Sequence, residues 1–224
     1  MTGIEIVPSL ASANQACLGG EIKRLGDSAK IIHLDVEDGN FTPNITFGLK
    51  TIRDLRQVTE LPFSIHLMVT NPEDYLPEIS EIPSASVAVH VEACRYPGRI
   101  VNMAKHLGTP IGMALNPKTQ VQEIEYLLGQ LDFVLVMTSE EDYESQRFLP
   151  GMLGKVRVLS AAGLKGRRLW VDGGIKREHL YDIWESGAGA VVMGRAVFGA
   201  DNPAEEIRQI ENIVNAFSQG GRQR

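Results

Sequence analysis

"IIHLDVEDGN" (31–40) and its counterpart "FSIHLMV" (63–69) decide the reading of this chain. Each is an apolar, β-branched-rich run that carries a histidine. Residues two apart on a strand face the same side, so His33 and Asp35 emerge together, as do His66 and Met68. A third run, "RRLWVDGGI" (167–175), reaches Asp172 and then turns on Gly173 and Gly174. Two imidazoles and two carboxylates at strand ends form a nitrogen–oxygen ligand set suited to a divalent metal ion. That set points to an enzyme.

Apolar runs alternate with helix-period segments throughout the chain. Strands are expected near Ile4–Val7, Ile31–Val36, Phe63–Leu67, Ser86–His90, Pro110–Ala114, Phe133–Val136, Arg168–Val171 and Ala190–Met193. Helical patterns fall at Gln15–Gly26, Leu49–Val58, Pro97–Leu107, Thr119–Leu128, Leu153–Ala162, Arg177–Ser186 and Ala204–Phe217. Eight strands in 224 residues leave about 28 residues per unit, enough for a strand, a helix and two short loops. Near-continuous apolar strands imply burial on both faces, hence a parallel sheet clad by helices. A closed (β/α)8 barrel spanning residues 1–217 as a single domain fits the count best. An open doubly wound sheet is the alternative. Residues 218–224 read as a polar tail.

Composition narrows the partners. The chain is 43% hydrophobic and 22% charged, as a globular domain with a full core should be. A net charge of −6 argues against nucleic acid or an anionic membrane held by bulk charge, so an anionic substrate needs a local cradle. Cys17 and Cys94 form no CxxC pair and suit a reducing compartment. No apolar run approaches the roughly 20 residues of a membrane span, and the N-terminus lacks a signal-peptide pattern. A soluble cytoplasmic protein is expected.

In a (β/α)8 barrel, functional residues gather where the strands end. Here those ends carry Ser9, His33 and Asp35, His66 and Met68, His90, Asn116, Met137, Asp172, and Gly194 with Arg195. Together with these, "PSLASAN" (8–14), "HLDVEDGNFTPNITFG" (33–48), "HLMVTNPEDY" (66–75) and "VDGGI" (171–175) are similar to the ribulose-phosphate 3-epimerase family. The similarity runs from about Val7 to Phe198, with the motifs in order. It implies a barrel holding one divalent metal ion (zinc, iron or manganese) on His33, Asp35, His66 and Asp172. It implies further that Asp35 and Asp172 are the acid/base pair, that Ser9 and His66 lie near the substrate, and that Met68 and Met137 form an apolar wall. A phosphorylated ketose is the implied substrate, and a homo-oligomer, dimer or hexamer, the implied assembly.

The chemistry this implies is inversion of a hydroxyl-bearing carbon beside a ketone. Two bases on opposite faces of a planar enediolate achieve it, with a cation stabilising the developing charge. Phosphate is expected on backbone N–H groups of the glycine turns at Gly173, Gly174 and Gly194, with Arg195 pairing to it. Two departures from the family pattern stand out. The loop "TSEEDYESQRF" (138–148) has no glycine and carries Glu140, Glu141, Asp142 and Glu144, against which Arg147 and Arg195 can act. Glu37 stands where the family usually has methionine. Asp38, before a glycine, is expected to shape a turn. His90 either lines the pocket or is a satisfied core residue, whereas His106 and His179 are expected on the surface. A related decarboxylase or aldolase such as hexulose-phosphate synthase is the competing enzyme class, disfavoured because "DVEDG" lacks that group's lysine. A non-catalytic sugar-phosphate-binding protein is the other alternative.

Overall fold

The computed structural model describes residues 3–140 and 147–220. Eight parallel strands form one sheet in the order β1-β8-β7-β6-β5-β4-β3-β2. They are β1 Glu5–Pro8, β2 Ile32–Glu37, β3 Phe63–Met68, β4 Ala85–His90, β5 Ile111–Leu115, β6 Phe133–Met137, β7 Gly166–Asp172 and β8 Ala188–Met193. A parallel bridge between Ser9 and His33 brings the ends of β1 and β2 together. The molecule is therefore a single (β/α)8 barrel, as the strand spacing predicts. The helices are α1 Leu18–Arg24, α2 Leu49–Arg56, α3 Leu76–Ser80, α4 Pro97–His106, α5 Leu153–Ala161, α6 Leu180–Ser186, α7 Arg195–Phe198 and α8 Pro203–Gly220.

Strand parity sorts every side chain. Ile32, Leu34 and Val36 of β2, with Ile65 and Leu67 of β3, face outward into a large apolar layer beneath the helices. The intervening residues face the barrel axis, where Val7, Ala88, Ala114, Phe133, Leu135, Met137, Trp170, Ala190 and Val192 form a second core. Phe133 and Trp170 pack there with ring centroids 5.2 Å apart. The inward positions of β2 and β3 nearer the C-terminal mouth are polar instead: His33, Asp35, Glu37, Ser64 and His66, all buried. The outward faces thus supply stability, while the inward faces divide between a second apolar core and the polar groups near the mouth.

The connections differ from the sequence reading in several places, the unanticipated four-residue α7 among them. Val121–Leu127, expected as an α-helix, is a 3-10 helix. Its buried residues Val121, Ile124 and Leu127 recur every three positions, which matches the three-residue turn of that helix and not the 3.6 of an α-helix. The short α3 lay unrecognised because its five residues, with Pro77 in the first turn, carry too little periodicity. The last helix runs to Gly220, past the Ser218 at which the polar pattern begins. No described helix is long and apolar enough to cross a membrane.

Gly187 ends α6 in the left-handed region (φ 100°), and a Cβ there would lie 2.5 Å from Ser160 Oγ of the neighbouring α5. Gly187→Ala is therefore expected to destabilise the barrel by about 1–2 kcal/mol. Thermal melting should show a midpoint lower by roughly 3–6 °C.

Candidate active site

The site grows from the polar ends of β2, β3 and β7. The β2–β3 register sets Asp35 opposite His66 and His33 opposite Ser64. Asp172 closes β7 beside Met137 of β6. Its carbonyl accepts the Thr138 N–H at 2.6 Å and lies 2.8 Å from the Thr138 hydroxyl, so the strand end is pinned. The Thr46 hydroxyl donates to the Asp35 carbonyl and accepts from the Glu37 N–H at 3.1 Å, fixing the end of β2 in the same manner.

At the centre, one ligand atom from each of His33, Asp35, His66 and Asp172 lies within 4.8 Å of the others. Asp35 Oδ1 is 3.1 Å from His33 Nε2 and 3.2 Å from His66 Nδ1. Asp172 Oδ2 is 3.5 Å and 3.7 Å from the same two nitrogens. The other Asp35 oxygen accepts the Ser9 hydroxyl at 2.5 Å, which turns Oδ1 toward the histidines. On the far side of His33, Nδ1 meets the Ser64 hydroxyl at 3.2 Å. The four residues implied as ligands thus converge, although β7 is separated from β2 by β8 and β1.

The cluster is short of positive charge. Burial alone would lower the His33 pKa, but the charges of Asp35 and Asp172 outweigh it and raise the value to about 10. Burial would likewise raise Asp35, yet His33 and His66 hold it well below the ordinary carboxylate range. His33 Nε2 is buried without a well-directed hydrogen bond. Two carboxylates, two imidazoles and an unfulfilled nitrogen fit a divalent cation.

Above the cluster opens a cleft of about 1020 Å³. Ser9, Asp35, Met68, Asp172, Gly174, Gly194 and Arg195 line it, whereas His33 and His66 are fully buried and do not. Met137 packs into the barrel core and Gly173 adjoins the cleft without lining it. Gly173 has φ 113°, and a Cβ on it would collide with Ser139 at 2.3–3.0 Å, so this turn requires glycine. Glu37 is in the cleft wall, with a pKa raised to about 7 by burial and by Asp35. Of the acidic loop, Glu140 is exposed, and Glu141, Asp142 and Glu144 lie outside the described residues.

Two residues, His179 and Lys176, behave differently from the sequence reading or escaped it, and His90 takes the second of its two expected roles. His179 is not a bare surface residue: it stacks on Phe148 at 4.0 Å with an 11° tilt and lines the cleft. Lys176 lines the same rim, unsignalled because no motif marks the approach to α6. His90 is a satisfied interior residue, bonded to His66 Nε2 at 2.9 Å and to Glu92 Oε2 at 3.2 Å. Burial lowers its pKa to about 4, a shift that Glu92 only partly opposes. Glu92 itself falls to about 2, because bonds from His90 and Thr119 overcome the effect of burial.

A (β/α)8 barrel with a largely buried His2Asp2 cluster that fits a divalent metal ion, under an open cleft, defines a barrel enzyme. A family model described as the ribulose-phosphate 3 epimerase family matches residues 5–198. The chain is 38% identical over 212 residues to the ribulose-phosphate 3-epimerase of Bacillus subtilis, covering 92% of this chain and 98% of that protein. It is 39% identical over 214 residues to the chloroplastic ribulose-5-phosphate-3-epimerase of Arabidopsis thaliana, covering 93% and 76%. A crystal structure of 3-hexulose-6-phosphate synthase superposes with a TM-score of 0.69 at 15% identity, covering 95% of this chain and 100% of that one, and shares the fold. The chain belongs to the ribulose-phosphate 3-epimerase family and is an epimerase, an enzyme of the isomerase class.

Asp38 shapes the mouth and takes no part in the cluster. Its Oδ1 accepts the N–H groups of Asn40 and Phe41, each at 2.8 Å, and its Oδ2 accepts the Thr70 N–H at 2.9 Å, tying the loops after β2 and β3 together. Burial would raise its pKa, but the Phe41, Thr70 and Asn40 N–H groups lower it to about 2 from the ordinary 3.8. A depressed folded-state pKa means this stabilisation is complete above 3.8 and is lost as pH falls through 2. Asp38→Ala should lower the melting midpoint by roughly 2–4 °C at neutral pH. The gap between wild type and variant should close as melts are repeated from pH 5 downward.

Proposed function

We propose that this epimerase inverts the hydroxyl-bearing carbon next to the ketone of a phosphorylated ketose, with ribulose 5-phosphate as the nominal substrate. One observation carries the reading: Asp35 and Asp172, from separate strands, reach one buried cluster and one cleft. The printed names of the curated relatives supply the substrate class. The aldolase-type alternative draws on shared fold alone.

His33, Asp35, His66 and Asp172 would hold one divalent ion, of which zinc, iron and manganese are the candidates. When bound, the ion supplies a Lewis acid for negative charge developing on the substrate's oxygens. Asp35 and Asp172 divide the proton transfers. One takes the proton from the substrate carbon while the other returns a proton to the opposite face. Ser9, donating to Asp35 Oδ2, holds that carboxylate in place. Met68 and the buried side chain of Val192 make an apolar section of the cleft wall, which limits water beside a planar enediolate. Met137 packs in the same inner apolar cluster as Val192.

The phosphate end is assigned to the turns at Gly173, Gly174 and Gly194, with Arg195 beside them. Arg147, Lys176 and Arg195 give that rim a cationic character that the net charge of −6 would not supply by itself. A cytoplasmic homo-oligomer, dimer or hexamer, belongs to the same proposal.

Incubation with ribulose 5-phosphate in deuterated water should place deuterium at the inverted carbon, and chelation of the purified protein should abolish that exchange. Asp172→Asn should reduce kcat by at least about 10³-fold and weaken binding of the ion. Undiminished turnover in that variant would remove Asp172 from the acid/base pair. Arg195→Ala should raise KM several-fold with a smaller effect on kcat, consistent with a phosphate-end contact.

A further inference from the structure

His90, fully buried, and Glu92, an exposed residue whose side chain is only 16% accessible, are groups that the two-base reading leaves without a role. β4 delivers His90 to the barrel axis, and Glu92 follows in the short turn Val91–Ala93. His90 stacks on His66 with ring centroids 4.9 Å apart and a 21° tilt. Glu92 Oε1 accepts the Asn116 N–H at 2.8 Å and the Thr119 hydroxyl. The Asn116–Thr119 loop is itself held by Lys155, whose ammonium donates to the carbonyls of Asn116 and Pro117 at 2.8 and 2.7 Å.

With His66 Nδ1, 3.2 Å from Asp35 Oδ1, turned to a shared cation instead of donating to that carboxylate, these contacts admit one arrangement of protons. Glu92 Oε2 can only accept, so His90 Nδ1, 3.2 Å away, must donate to it. A neutral imidazole has one donor and one acceptor, so His90 Nε2 presents its lone pair to His66 Nε2 at 2.9 Å. His66 Nε2 must then carry the hydrogen. The lone pair of His66 is left on Nδ1, the nitrogen that faces Asp35 and Asp172.

We propose that Glu92, acting through His90, is a positioning device that locks His66 in the tautomer able to ligate a divalent cation through Nδ1. The inference rests on the reading that His33, Asp35, His66 and Asp172 bind such a cation. A ligand histidine commonly donates its second ring N–H to a carboxylate or carbonyl that fixes its tautomer. In this chain a second imidazole lies between the ligand and the carboxylate.

Glu92→Gln is the informative variant. The two donors at Oε1 hold the amide oxygen there, which turns the amide NH2 toward His90 Nδ1. His90 Nδ1 must then accept, His90 Nε2 must donate, and His66 presents an N–H to the cation site. Zinc titration of the full chain against a competing chelator should show a dissociation constant weakened about 10–100-fold in the variant. Circular dichroism of the two proteins should agree. Long-range proton–nitrogen NMR of the zinc-loaded wild type should show His66 protonated at Nε2 and His90 at Nδ1, a readout that needs no variant to fold. A wild-type protein that binds no zinc would overturn the cation reading underneath. Wild-type binding with an unchanged constant in Glu92→Gln, or the reverse proton placement in the wild-type spectrum, would overturn the relay alone.

Discussion

Two carboxylates at the mouth of the barrel, one buried and one half-buried, set the terms for the rest of the molecule. An ionised carboxylate in a protein interior is tolerated only beside compensating charge and hydrogen bonds. Asp35 accepts one hydroxyl and lies within 3.2 Å of two imidazole nitrogens, and Asp172 faces the same two. Without a cation the deficit falls on His33, whose affinity for a proton rises until it serves as the missing positive charge. A proton and a divalent ion satisfy the same field, and the ion satisfies more of it.

The barrel supports this arrangement through parity and layering. Every second strand residue enters the outer apolar layer, where each fully buried aliphatic side chain contributes about 1.5–3 kcal/mol. That stabilisation offsets several kcal/mol for each ion removed from water. Inside, aromatic and aliphatic side chains such as Phe133, Trp170 and Leu135 fill the axis, so the polar layer of β2 and β3 sits in a closed floor rather than a pore. Short bonds from Ser9, Thr46 and Thr138 to strand-end atoms then limit how far the cluster can relax.

Much of this was legible in the chain itself. Continuous apolar runs located all eight strands to within a few residues, because a strand buried on both faces must be written in apolar residues except where chemistry intrudes. The intrusions at His33, Asp35, His66 and Asp172 were therefore conspicuous. Val121, Ile124 and Leu127 carried a period-three signal that was read as an ordinary helix. His179 sat on a helical pattern that gave no hint of Phe148 beneath its ring. Lys176 lacked any marker, since a cation at a loop end is the commonest of surface residues. The link from His66 through His90 to Glu92 joins β3 to β4, and no local pattern reports which histidine nitrogens meet.

What the sequence determined by itself was the alternation, the count of units and the chemical identity of the groups at each strand end, because these depend on periodicities of two and about 3.6 and on residue type. What the tertiary structure decided was distance and direction. Closure of the sheet brought β7 across to β2 and β3, turned His33 Nε2 and His66 Nδ1 toward two carboxylates, and placed Glu92 where it can hold a proton in position two rings away. Those facts reside in the curvature and register of eight strands taken together, and no stretch of the chain contains them.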